Sequence, residues 1–231
     1  MENHQFTILN FDKIGSTNDL AFELIARNEA RDHFIILANS QSKGRGREDR
    51  NWESPAGNIY LSLILQPENI AEITNYSFLA ACVIGDILQS YNITTQYKWP
   101  NDIIFNDKKL AGILLQFQRI NHINNLVIGI GVNLVSAPSY AISLQNYNIS
   151  KEDFLRKFTE IFAKYEAQYQ QFGFAPIRNK WKNNAYKIGQ EIKLSNGMDG
   201  IFQDIDAEGN LLLLDKSGKI NKISMAEILQ N

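Results

Sequence analysis

The densest group of chemistry-bearing side chains in this 231-residue chain is Gln41-Ser42-Lys43-Gly44-Arg45-Gly46-Arg47-Glu48-Asp49-Arg50-Asn51-Trp52. Its glycines let backbone amides approach a ligand closely, while Arg45, Arg47 and Arg50 bring three permanent positive charges to one loop. Trp52 adds a planar face on which a base can stack. Such a loop suits a polyphosphate or an acyl phosphate. Taken alone, the string equally fits a solvated Gly/Arg-rich loop or a nonspecific RNA-binding segment.

Three further strings bear on that choice. Lys98-Trp99-Pro100-Asn101-Asp102 places polar side chains at the start of a strand, and Lys109-Leu110-Ala111-Gly112-Ile113-Leu114 puts a lysine at the head of an otherwise apolar one. In Ile128-Gly129-Ile130-Gly131-Val132-Asn133 the period of two sorts the three β-branched residues onto one face and Gly129, Gly131 and Asn133 onto the other. The first face is core. The second is expected to be a vacant trough with a ligand lying on the sheet, although glycines on a strand also mark bulges.

Other chemistries are excluded. No Gly-x-x-x-x-Gly-Lys-[Ser/Thr] phosphate loop is present, and neither Gly44-Arg45-Gly46 nor Gly129-Ile130-Gly131 continues into a dinucleotide fingerprint. His4, His33 and His122 are isolated from one another and from metal-ligand spacing, so zinc chemistry is not expected and each histidine is assigned to the surface. The single cysteine, Cys82, lies in an apolar run and reads as core. With 23 basic and 25 acidic residues and a pI near 6.0, the chain is not built to coat nucleic acid or an anionic membrane. It carries no secretory signal and no run of the ~20 apolar residues that a membrane span needs. The expected compartment is the cytoplasm.

The elements that must position these residues follow from periodicity. With 44% apolar residues the chain has ample material for a core, and strand-like and helix-like runs alternate as in a mixed α/β (α+β) layer structure. Strands are predicted at Phe6 to Phe11, Phe34 to Asn39, Ile59 to Leu65 with one face buried, and Asn125 to Asn133. Two more, Asn101 to Phe105 and Lys108 to Gln118, flank a tight Asn106-Asp107 hairpin. Ser16-x-x-Asp19 caps a helix reaching Asn28, a second helix covers Tyr76 to Tyr91, and Ser150-x-x-Asp153 caps a third that carries an aromatic core stripe to Gly173. From Ala185 onward four short strands alternate with Asn196-Gly197, Glu208-Gly209 and Ser217-Gly218 turns, the texture of a small all-β unit.

In their order and spacing, Ser16-Thr17-Asn18, the Gly-Arg-Gly-Arg loop with Trp52, Lys98 to Asp102, Lys109 to Leu114 and Gly129 to Asn133 resemble the biotin protein ligases across nearly the whole chain. The resemblance implies a class II aminoacyl-tRNA-synthetase-like catalytic domain over residues 1–184 and a Src-homology-3-like β-barrel over 185–231. It also implies a reaction in two steps. Biotin attacks the α-phosphate of ATP to give biotinyl-5′-adenylate, with Mg²⁺ on the phosphates, and a lysine of a biotin carboxyl carrier protein domain then attacks the acyl phosphate. By the same resemblance Arg45, Arg47 and Lys109 are catalytic. Ser16, Thr17, Asn18 and Gln41 address the rings of biotin, the Gly44 to Arg47 backbone covers it, Lys109 lies near its carboxylate, and Gly112 and Gly131 belong to that site. Arg47, Arg50, Trp52, Asn101, Asp102, Lys109 and Asn133 serve the nucleotide.

Glu48-Asp49 departs from the family pattern, where further basic or glycine residues follow the Gly-Arg-Gly-Arg string. Two acids there suggest weak nucleotide binding before biotin and a loop that orders over bound biotin. Only fifteen residues precede Ser16, so a monofunctional ligase without a DNA-binding domain, and no DNA partner, is expected. The sequence leaves open a homodimer, the Mg²⁺ ligands and the work of the barrel, for which help with ATP and carrier docking is expected. A lipoate or octanoate ligase and a catalytically silent biotin-binding sensor are the competing readings.

Overall fold

The computed structural model describes residues 6–48 and 50–229; His4 and Asp49 lie outside the described residues. Seven strands form one mixed sheet: β1 (Thr7–Ile14), β2 (Phe34–Gln41), β3 (Ile59–Leu65), β4 (Gln96–Lys98), β5 (Asp102–Phe105), β6 (Lys108–Ile120) and β7 (Ile123–Val132). Their order is β1-β2-β3-β7-β6-β5-β4, with β1 and β2 parallel and every other neighbour antiparallel. The β5–β6 turn uses Asn106 and Asp107 at φ 48° and 57°, the left-handed pair a two-residue hairpin demands.

The period of two decides which helix each face receives. Ile36, Ile64 and Val127 face α1 (Thr17–Ala26), which supplies Ala21, Leu24 and Ile25. Ile35, Leu37, Leu61, Leu63, Ile128 and Ile130 point to the opposite face, beneath α2 (Asn75–Gln89), which is backed in turn by α3 (Lys151–Phe172) and α4 (Ala175–Asn183). The expected single buried face of β3 is therefore corrected: all seven of its residues are buried, because α1 covers the second face as well. In α3, capped by Ser150 and ended by Gly173, the stripe Phe154, Phe158 and Phe162 is fully buried. Each such ring contributes on the order of 2–3 kcal/mol by leaving water. Cys82 is buried as expected.

A second, antiparallel sheet holds β8 (Glu191–Lys193), β9 (Asp199–Ile205), β10 (Leu211–Leu214) and β11 (Ile220–Ile223) in the order β11-β10-β9-β8. Its core residues Phe202, Leu211 and Leu213 belong to the same apolar cluster as Phe78 and Trp181 of the larger layer structure. Trp99 Nε1 donates to the Gly209 carbonyl across that contact at 3.0 Å. After β11 the chain returns to β8 through a bridge between Leu194 and Ile228. Among the described residues no helix is long and apolar enough to cross a membrane.

Three further features differ from expectation, the first being strand β4, since the spacing predicts no strand just before Asn101. Helix α4 was not legible, since Ile177 and Trp181 alone anchor it in the core. His33, assigned to the surface, is buried with Nε2 at 2.8 Å from Glu166 and Nδ1 at 2.9 Å from Asp32. Burial works to lower its pKa, yet the two carboxylates prevail and hold it up at about 9.

Candidate active site

The β1–β2 crossover fixes one wall of a cavity of about 380 Å³ on the α1 side of the large sheet. Ser16 caps α1, its Oγ accepting from the Asp19 amide at 3.4 Å, and the helix start from Ser16 to Asn18 lines the cavity. Gln41, at the end of β2, meets that helix start. Its Oε1 accepts from the Thr17 amide at 2.7 Å and from Thr17 Oγ1 at 3.1 Å, while its Nε2 donates to Ser54 Oγ at 3.0 Å. Asn18 donates to Gln116 at 2.7 Å and accepts from Ser62 of β3. Each of these polar side chains is thus oriented by a neighbour rather than left free to rotate.

The Gly-Arg-Gly-Arg loop folds into a small hairpin over the cavity mouth. Arg45 bridges to Asn51, the Gly46 amide donates to the Arg50 carbonyl at 2.7 Å, and the Trp52 amide donates to the Gly44 carbonyl at 3.0 Å. Each of its guanidinium groups has a partner elsewhere in the chain. Arg45 pairs with Asp19 at 3.1 Å, Arg47 Nη1 donates to Asn101 at 3.4 Å, and Arg50 pairs with Glu227. Opposite, at the β5–β6 edge, Lys109 Nζ lies 2.7 Å from Asp102 Oδ1 and 5.2 Å from the centre of the Trp52 ring. Asn101 is held in turn by donating to the Ile113 carbonyl at 2.6 Å.

Five cationic side chains (Arg45, Arg47, Arg50, Lys98, Lys109) but only two carboxylates (Asp102, Glu227) line the cavity among the described residues. That excess gives the cavity a potential that attracts anions. Among these cations the pKa of Lys98 is lowered by its burial, against the opposing pull of Asp102, with a lesser push from Lys109.

The glycine face is not the vacant trough expected. Gly129 lies against Asn18, where an added Cβ would come within 2.5 Å of Oδ1. Gly112 and Gly131 are register partners on β6 and β7, and the indole of Trp52 lies across both, 3.0 Å and 2.5 Å from where their Cβ atoms would stand. The glycines make room for the protein's own side chains, which then form part of the cavity wall.

The fold brings together nearly all the residues singled out in the sequence. Ser16, Thr17, Asn18 and Gln41 line the same cavity as Arg45, Arg47, Arg50, Asn101, Asp102 and Lys109. Gly44 stands behind the loop, with Trp52 O and Ser54 Oγ each 2.4 Å from a Cβ built on it. Asn133 lines a separate cavity of about 20 Å³ whose wall of Trp52 and Lys109 is shared with the main one; its side chain donates to the Ile142 carbonyl at 3.3 Å. Sequence reasoning missed Glu227 and the part of Lys98 in the lining. Lys98 was legible as a member of its motif, whereas Glu227 sits 177 residues from Arg50 and carries no local signal.

A cation-lined cavity at a helix start, on a mixed sheet with a glycine-floored edge, defines the class. The chain belongs to the biotin/lipoate A/B protein ligase family, whose profile matches residues 11–133. Within that family it is 36% identical to the biotin–[acetyl-CoA-carboxylase] ligase of Paracoccus denitrificans, over 80% of this chain and 85% of that one. It is 34% identical to the bifunctional ligase/repressor BirA of Bacillus subtilis, over 96% of this chain and 73% of the relative. Its fold is similar to the biotin protein ligase of Aquifex aeolicus solved with biotin and ATP, with a TM-score of 0.82, 23% identity and coverage of 96% and 97% of the two chains.

Proposed function

We propose that this protein is an ATP-dependent biotin protein ligase that makes biotinyl-5′-adenylate and passes the biotinyl group to a lysine of a biotin carboxyl carrier protein domain, releasing AMP and pyrophosphate. The observation that carries this reading is one cavity lined both by oriented amides and hydroxyls and by clustered cations. A cyclic urea has one carbonyl acceptor and two N–H donors, and Thr17, Asn18 and Gln41 offer the matching groups. Curated relatives at 36% and 34% identity carry ligase names, which agrees with it.

The first step brings a carboxylate against a phosphate. At an effective dielectric of 20, two like charges ~4 Å apart repel by about 4 kcal/mol, so nearby cations must offset that repulsion. Arg45, Arg47 and Lys109 are assigned this task. Lys109 is positioned for it by Asp102, and Arg47 by Asn101. Ser16, Thr17, Asn18 and Gln41, with the backbone from Gly44 to Arg47 and the floor at Gly112 and Gly131, are assigned to biotin. Arg47, Arg50, Trp52, Asn101, Asp102 and Lys109 are assigned to ATP, with Asn133 supporting them from behind the Trp52 wall. No group of three His, Cys, Asp or Glu side chains among the described residues could hold a metal ion. Mg²⁺ bound with ATP would be carried on the phosphate oxygens and would neutralise part of their charge.

Residues 1–184 form the catalytic unit in this proposal and 185–231 a small β-barrel of the Src-homology-3 type. The four-stranded antiparallel sheet and the return of the chain at the Leu194–Ile228 bridge support a barrel. A lipoyl ring has no urea, so it offers nothing to pair with the hydrogen-bonding capacity that Ser16, Thr17 and Gln41 keep beyond their contacts within the protein. Biotin-dependent exchange of labelled pyrophosphate into ATP tests the first step, and it separates a ligase from a silent sensor. Substituting lipoate for biotin in the same assay separates the two ligase readings: exchange with biotin alone is expected.

A further inference from the structure

The cavity holds one acid that comes from an unexpected place. Glu227 follows β11, and its flanks Ala226 and Ile228 are buried at 4% and 1% exposure. Its backbone is fixed on both sides, the Ser195 amide donating to its carbonyl at 2.9 Å and its own amide donating to Ser195 Oγ at 3.0 Å. This position is built into the small sheet. From it the carboxylate reaches the Gly-Arg-Gly-Arg loop, pairing with Arg50 and lying 3.7 Å from Arg47 Nη1 through the same oxygen. Arg50 also lies 3.9 Å from Glu48. One carboxylate oxygen shared by two guanidinium groups is the arrangement an anionic phosphate oxygen would take up.

Resting on the ligase reading of Arg47 and Arg50, we infer that Glu227 is an internal counter-ion which occupies the polyphosphate-binding face of the loop and must be displaced when ATP or pyrophosphate binds. The nucleotide thereby competes with a carboxylate of the protein, and the small sheet sets the threshold for phosphate binding. The charge state agrees: burial works to raise the Glu227 pKa, but Arg50, followed by Arg47 and Lys109, holds it below its ordinary value. An acid that merely ties the loop down makes the opposite prediction, since its loss would loosen the loop and weaken phosphate binding.

The test is calorimetric titration of inorganic pyrophosphate into the full chain and its Glu227→Gln variant. Partly exposed ion pairs set the scale, so the variant is expected to bind about threefold to fivefold more tightly. Unchanged or weaker binding overturns the inference. In an Arg50→Gln background the same Glu227→Gln change should gain less than about twofold; a gain as large as in the wild type also overturns it. Glu227→Asp, which shortens the arm but keeps the charge, is expected to fall between wild type and Glu227→Gln, and this variant decides the matter should the amide fold poorly. Steady-state kinetics add a split that a structural role would not produce, a lower KM for ATP without a higher kcat, whereas a raised KM contradicts the proposal. Biotin-dependent exchange by the wild type judges the ligase reading separately, because the pyrophosphate affinities are compared without biotin.

Discussion

Trp52 lies across Gly131, so closely that a Cβ on the glycine would come within 2.5 Å of the indole Cε2. The glycine is needed because a ring from the loop occupies the space above the strand. Gly131→Ala must push the indole off the sheet, and Lys109, which lies 5.2 Å from the ring centre, loses its packing surface. A displacement near 1 Å at a reacting group costs up to about 100-fold in rate. Biotin-dependent pyrophosphate exchange is expected to fall at least about tenfold in this variant. Tryptophan emission should shift to longer wavelength, since the other two tryptophans, Trp99 and Trp181, are 2% and 1% exposed and do not change.

Gly129 makes the corresponding contact with Asn18. Gly129→Ala places a methyl 2.5 Å from Asn18 Oδ1 and breaks the links from Asn18 to Ser62 and Gln116. Overpacking of this kind costs roughly 1–3 kcal/mol. Weaker biotin binding by calorimetry, with a small loss in urea midpoint, is the expected result. Unaltered biotin affinity would remove Asn18 from the biotin-binding residues.

Arg47 holds the loop to Asn101 and to Glu227. Arg47→Gly is expected to release biotinyl-adenylate into solution, because the loop loses its grip on the phosphate. Free adenylate in an ultrafiltrate should rise while transfer to the carrier falls. If no adenylate escapes, the lid role of the loop is wrong. Biotin should also protect the loop from protease, and equal cleavage with and without biotin contradicts ordering over the ligand.

The pairing of His33 with Asp32 and Glu166 predicts a pH dependence of stability unrelated to the cavity. The folded-state pKa is held up at about 9, above the ordinary 6.5. The stabilisation is therefore complete below about pH 6.5 and is lost as pH rises through about 9. A shift of this size corresponds to about 3 kcal/mol as an order of magnitude. Urea unfolding of the wild type should show that loss between pH 6.5 and 9.5, and Glu166→Gln should show a flatter profile.

Much of this fold can be read from spacing alone. Ser16, Ser150 and Gly173 mark helix ends by their own backbone chemistry, and Asn106-Asp107 marks its hairpin, so these are local and visible. Contacts between residues distant in the chain are not. Nothing near His33 announces Glu166, 133 residues away, and nothing near Glu227 announces Arg50. The glycine face of β7 was legible as a place where something approaches closely. That the visitors are Trp52 and Asn18, not only a ligand, depends on how the loop after β2 and the start of α1 fold back onto the sheet.

The most direct measurement is the mass of a biotin carboxyl carrier protein domain after incubation with the protein, biotin, ATP and Mg²⁺. One biotinyl group on the acceptor lysine is expected, absent without ATP and strongly reduced with Arg47→Ala or Lys109→Ala. An unmodified carrier, or one modified as readily by lipoate, would contradict the account.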